Sequence, residues 1–255
     1  MVLVLLLLAE AAQTNSCKTP NISFIRADLS TVKCCIELAD KIGNQTFDTV
    51  IFTIGMFSTK QLVRTSEGVP EPLSVNYLSR FVLVQKIIKR GLLVGRKRLY
   101  IFGYPGTGAE PLPITDLMLE HTPYENWPMQ KTTVALNEAL GYELVRRYPD
   151  ITVVGVNPGF VTTDIMHPIL GRTLVTVIGA LFGISPETYA KSYFIHVVAS
   201  EKIAAETRHT IVDQKGFEMP QQGWAKDEAN SAEAWKQSQI LVDRILESNK
   251  STLNQ

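Results

Sequence analysis

Short runs rich in Val, Ile and Phe alternate along this chain with amphipathic stretches of helical period, and that alternation constrains its fold more than any other feature. The runs fall at residues 21–27, 48–54, 98–102 and 151–157, with a shorter one at 209–212. The amphipathic stretches fall between them, at 31–42, 72–90, 127–148 and 186–199. Continuous apolar runs of this length read as strands buried on both faces. Each intervening stretch is long enough to carry the chain from one parallel strand to the next, and no hairpin signal interrupts the pattern. The expectation is a single-domain α/β protein with a doubly wound parallel sheet and helices on both faces, a Rossmann-like fold. Ligands of such sheets bind beyond the carboxyl ends of the strands, which puts the Gly- and Pro-rich loop 103–113 beside any site. Residues 174–184 are too short to span a bilayer and read as a buried or lid helix, and residues 232–246 as a last amphipathic helix.

Charge and reactive residues narrow the function. Lys and Arg (25) balance Asp and Glu (25), so no basic field exists to draw nucleic acid. Cys17, Cys34 and Cys35 form neither a disulfide framework nor a zinc spacing, which suits a reducing compartment. His121, His167, His196 and His209 include no pair at metal-binding spacing, and a Gly-x-Ser-x-Gly nucleophile turn is missing. Residues 1–9 are almost wholly apolar but carry no preceding Lys or Arg and are too short for a membrane span. They read as a buried strand in a cytoplasmic protein or, alternatively, as the core of a signal peptide.

Several local strings are more specific. Asp28 and Ser30 close the first run, either one placed to cap the next helix. The second run ends in Gly55, where a Cβ-free backbone admits close approach. Asn76 lies in the string Ser74, Val75, Asn76, Tyr77, Leu78, Ser79, Arg80, Phe81. Asn157, Pro158, Gly159, Phe160, Val161, Thr162 and Thr163 follow an apolar strand, and Lys131 opens a helical pattern that runs to Tyr148. In these strings, and in the order of elements from residue 21 onward, the chain resembles the classical short-chain dehydrogenase/reductase family, particularly its retinol-dehydrogenase-like and fungal members.

The resemblance implies an NAD or NADP cofactor, with Asp28 at the adenine, Gly55 against the cofactor and Pro158, Gly159, Val161 and Thr163 at the nicotinamide. It implies that Lys131 holds ribose hydroxyls and relays protons with Asn76. In the family a Tyr four residues before the Lys moves the substrate proton, and a Ser after the preceding strand polarises the substrate oxygen. Here Trp127 stands at the Tyr position, an indole without acid–base chemistry near neutral pH. Gly103 stands at the Ser position, with Tyr104 and Thr107 the nearest hydroxyls. Tyr124 is a substitute donor if the chain before Asn126 and Pro128 folds back toward Lys131.

The first glycine is Gly43, so no glycine-rich phosphate turn precedes Asp28. The first β–α unit is therefore expected to be missing, with residues 1–20 a leader or a remnant of the second-strand region and 21–255 the dehydrogenase-like domain. The function this implies is an NAD(P)-dependent oxidoreductase acting on a carbonyl or secondary alcohol of a small lipophilic molecule, a secondary metabolite being one such class, in a homodimer paired through 72–90 and 127–148. The alternatives are a catalytically inactive binding or scaffold descendant, and a non-redox isomerase or cyclase.

Overall fold

The computed structural model of the chain describes residues 3–8, 22–103, 105–159, 161, 183–200, 209–221 and 223–253. Strands β1 (Leu3–Leu8) and β2 (Ile22–Ala27) come first, followed by helix α1 (Val32–Ile42) and strand β3 (Phe47–Phe52). Helix α2 begins at Glu71–Leu73, passes through a π-helical turn at Ser74–Leu78 and continues over Ser79–Lys89. Strand β4 (Leu93–Phe102), helix α3 (Asn126–Arg147) and strand β5 (Thr152–Val156) follow. Helix α4 repeats the device of α2, with Pro186–Tyr189, a π turn at Ala190–Phe194 and Ile195–Ala199. Strand β6 (His209–Val212) and the long helix α5 (Glu228–Leu253) complete the order.

Strands β3, β4, β5 and β6 hydrogen-bond in that order, all parallel, with Ile51 beside Tyr100, Tyr100 beside Val154 and Val154 beside Thr210. Successive side chains on a strand point to opposite faces, and the core divides accordingly. Leu99, Ile101 and Val153 pack into the larger core with α1, α2, α3 and α5, whereas Tyr100, Phe102, Val154 and Val156 pack with Tyr189 and Val197 of α4. Fully buried Leu, Val and Phe side chains of this kind contribute about 1.5–3 kcal/mol each. Helix α5 closes over α2, where the Tyr77 hydroxyl meets Ser238 Oγ at 2.7 Å and Phe81 stacks edge-on against Trp235. Gly141 lets α3 cross β6 closely, since a Cβ there would fall 2.6 Å from the His209 ring.

The doubly wound parallel sheet is as expected, but its first strand is not. The sequence predicts a buried parallel strand at residues 21–27; β2 instead pairs antiparallel with β1 in a separate two-stranded sheet, with Phe24 65% exposed. The two segments are close in sequence, so pairing them closes a short loop at low entropic cost. The cap of α1 also differs from expectation. Thr31, not Asp28 or Ser30, accepts from Cys34 N, and Asp28 turns back to accept from Ser30 N at 2.9 Å. Ser185 caps α4, accepting from Thr188 N. Most of residues 174–184, and all of 9–21, lie outside the described residues. Among the described residues no helix is long and apolar enough to cross a membrane.

Candidate active site

A cavity of about 430 Å³ opens at the carboxyl ends of β3, β4 and β5. Such a volume suits a small ligand, and the place is where open α/β sheets bind theirs. The strand ends supply Gly55, Met56, Gly103, Pro158, Gly159 and Val161; α2 supplies Asn76 and Arg80; α3 supplies Gln130, Thr133 and Asn137; α4 supplies Tyr189 and Phe194. Both π-helical turns border it, since Asn76 lies in one and Ala190 and Phe194 in the other. An extra residue per turn shifts the helical phase locally, and such turns gather at functional sites.

Asn76 is a clamp on the loop after β3, its Oδ1 accepting from Met56 N at 2.7 Å and its Nδ2 donating to Met56 O at 2.9 Å. Both ends of the amide are thus committed to backbone. Asn137 supports it, donating from Nδ2 to Asn76 O and to Thr133 O, while its buried Oδ1 has no partner. Gln130 Oε1 accepts from both the backbone N and the hydroxyl of Ser58 at 3.1 Å. The Ser58 N–H fixes which end of that amide is oxygen, and Gln130 Nε2 remains a free donor among the described residues.

Arg80 lies one turn beyond Asn76 and is 2% exposed. Its Nη2 donates to Ile54 O and to Phe102 O, joining the ends of β3 and β4. Its Nε has no partner among the described residues, and its Nη1 lies 3.2 Å from where a Cβ on Gly103 would stand. Burial lowers its pKa to about 9, which still leaves the guanidinium charged at neutral pH. Tyr189 also lines the cavity; its hydroxyl is buried without a partner, and burial raises its pKa to about 12.

The sequence-predicted residues divide between cavity and surface. Asn76, Gly55, Gly103, Pro158, Gly159 and Val161 meet at the cavity, whereas Trp127 and Lys131 do not line it. Trp127 is 54% exposed and stacks edge-on against Phe57, and Lys131 is exposed. The phase of α3 is the reason: about 100° per residue turns Gln130, Thr133 and Asn137 inward and carries Trp127 and Lys131 outward. Asn76 therefore does not work beside Lys131. Tyr124 donates to Thr59 O at 2.7 Å and does not fold back toward Lys131. Asp28 is exposed near the start of α1, Thr107 is exposed, and Tyr104 and Thr163 lie outside the described residues. Sequence reasoning missed Arg80, Gln130, Thr133, Asn137 and Tyr189. The signal for Arg80 was its place four residues after Asn76 on one helix face, and for the α3 set the spacing 130, 133, 137.

Fold and cavity together define a Rossmann-like α/β protein with a cavity at the strand ends. No family model matches the chain. It is 31% identical over 237 residues to the uncharacterized oxidoreductase YKL107W of Saccharomyces cerevisiae, spanning 88% of this chain and 75% of that one. In structure it is similar to an uncharacterized protein from Mycobacterium paratuberculosis, with TM-score 0.60, 20% identity and coverage of 85% and 74% of the two chains. It is also similar to a short-chain dehydrogenase/reductase from Serratia marcescens, with TM-score 0.52, 19% identity and 75% of each chain covered. The chain belongs to the short-chain dehydrogenase/reductase family.

Proposed function

We propose that the protein is an NAD(P)-dependent oxidoreductase that acts on a carbonyl or secondary alcohol of a small lipophilic molecule. The observation that carries this reading is the cavity itself: largely apolar walls, with Gln130, Asn137 and Arg80 among its polar groups, at the carboxyl ends of the parallel strands. The residues fit the nicotinamide end of the cofactor. Gly159, at φ +64°, makes a tight turn at the cavity, with Pro158 and Val161 as apolar neighbours, and the orphaned Asn137 Oδ1 awaits a donor. Asp28 would face the adenine end. The N-terminus of α1 is not free for phosphate, because the Glu67 carboxylate accepts from Val32 N and Lys33 N at 2.7 and 3.0 Å.

Pro158, Gly159 and Val161 would hold a nicotinamide, which would supply or accept the hydride when bound. Gln130 Nε2 offers a hydrogen bond to the substrate oxygen, and Ser58 holds its other end so that little reorganisation is needed. The Asn76 clamp fixes the loop that carries Gly55 and Met56. Neither Gln130 nor Thr133 has acid–base chemistry near neutral pH, so the α3 residues at the cavity supply no general acid. Losing a positioned general acid typically lowers a rate by ~10²–10⁴, so slow turnover is expected.

The test is titration of the purified protein with NADH and NADPH, following cofactor fluorescence and melting temperature. Saturable binding is expected, and cofactor at 100 times its Kd stabilises by about 2.7 kcal/mol. No binding up to millimolar cofactor overturns the reading.

A further inference from the structure

We infer that Arg80 is an anion-recognising residue and that the cavity takes small lipophilic carboxylates, the acid group seated on Arg80 Nη1 and the apolar chain lying against Phe102, Phe194 and Val161. This deepens the reading above by naming a substrate class for the same cavity.

The argument begins with charge. Arg80 is a buried guanidinium, and among the described residues no carboxylate lies within ion-pair distance of it. A buried charge without a counter-ion is costly, and proteins ordinarily pair it. Two backbone carbonyls answer only one of its three nitrogens, since both bonds leave from Nη2. A strut between the ends of β3 and β4 needs that nitrogen alone. Nη1 carries two further N–H donors, makes no hydrogen bond among the described residues, and lies beside Gly103 at the cavity wall.

Gly103 matters to this geometry. A Cβ at that position would stand 3.2 Å from Nη1, tighter than ordinary contact, so the missing side chain leaves room against the guanidinium. Gln130 Nε2 is a second free donor on the cavity wall among the described residues, and Glu138 of α3 is occupied in accepting from Gly106 N at 2.6 Å. Against these donors stands Asn137 Oδ1, an acceptor without a partner among the described residues. A cation and a free amide donor in a largely apolar cavity complement an anionic oxygen on an apolar body. A charge-assisted bond from guanidinium to carboxylate is about twice as strong as a neutral one, and low local dielectric strengthens it further.

The probes are octanoate and 1-octanol, matched in chain length and differing in charge, titrated calorimetrically into the cofactor-free protein at pH 7. Octanoate is expected to bind at least about tenfold tighter than octanol, a difference of ~1.4 kcal/mol. Arg80→Met is expected to bring the two affinities together by weakening octanoate alone, and Arg80→Lys to retain part of the preference. Should Arg80→Met not fold, the wild-type comparison decides. Equal affinity of acid and alcohol makes Arg80 a strut only and overturns the inference, as does failure of both probes to bind at millimolar concentration. Because cofactor is absent, octanoate binding without NAD(P)H binding keeps this inference and sinks the oxidoreductase reading, and the reverse result does the opposite.

Discussion

Two cavities of nearly equal size, about 430 and 410 Å³, share the side chain of Phe194 as a border, yet they are different kinds of object. The first lies at the strand ends and has around it a buried cation, a free amide and three polar atoms, Arg80 Nε, Asn137 Oδ1 and the Tyr189 hydroxyl, without a partner among the described residues. The second runs along β3, between Leu83 and Ile87 of α2 on one side and Ile195 and Val198 of α4 on the other. Its charged lining residues, Asp48 and Arg96, are half-buried and exposed. Among the described residues β3 pairs with β4 alone, so this groove follows from an open sheet edge flanked by helices that extend past it. Volume and apolarity do not separate the two. Convergent polar groups held by second partners do, and those are the signature of a site.

The comparison breaks most visibly at Arg80. Arg80→Met removes both donors to Ile54 O and Phe102 O, and each buried carbonyl left unpaired costs about 1–3 kcal/mol, partly offset by relief of the buried charge. A net loss of about 2–4 kcal/mol in urea denaturation is expected. Unchanged stability would mean that the first cavity is no more built than the second.

The groove along β3 predicts the opposite behaviour. Ile195 is 59% exposed on its wall, so Ile195→Lys is expected to change stability by no more than about 0.5 kcal/mol. A lysine beside an open strand edge also discourages edge-to-edge pairing, and the variant should show less self-association in sedimentation velocity. A stability loss beyond about 2 kcal/mol would show that the groove is core, and would sharpen the distinction by moving its boundary.

The sheet was legible because β3 to β6 are apolar runs of strand length, a pattern that burial on both faces imposes. β2 misled because its composition is that of a buried strand while its only partner among the described residues is β1. The π turns in α2 and α4 left no trace in the hydrophobic period, since one wider turn shifts phase without changing which residue types are apolar. In α3 the phase itself was hidden. Residues 132–141 are all buried, between sheet and α5, so no polar stripe marks an outward face there. The family's catalytic spacing was therefore hung on the one lysine available, Lys131, with Trp127 four residues before it.

That placement yields the smallest effect and the cleanest test of helix phase. Lys131 is exposed on α3 while its neighbour Gln130 and, three residues on, Thr133 border the first cavity. Lys131→Ala is expected to leave NAD(P)H binding and turnover unchanged, because Lys131 does not line the cavity. Stability should stay level or rise by a few tenths of a kcal/mol, since Ala exceeds Lys slightly in helix propensity. Gln130→Ala, one residue away, should weaken ligand binding by removing the cavity's free amide donor and releasing Ser58 N. If Lys131→Ala is instead the damaging change of the pair, α3 is rotated by about one residue in solution. The lysine would then face the strand ends, the place the family resemblance implies for it.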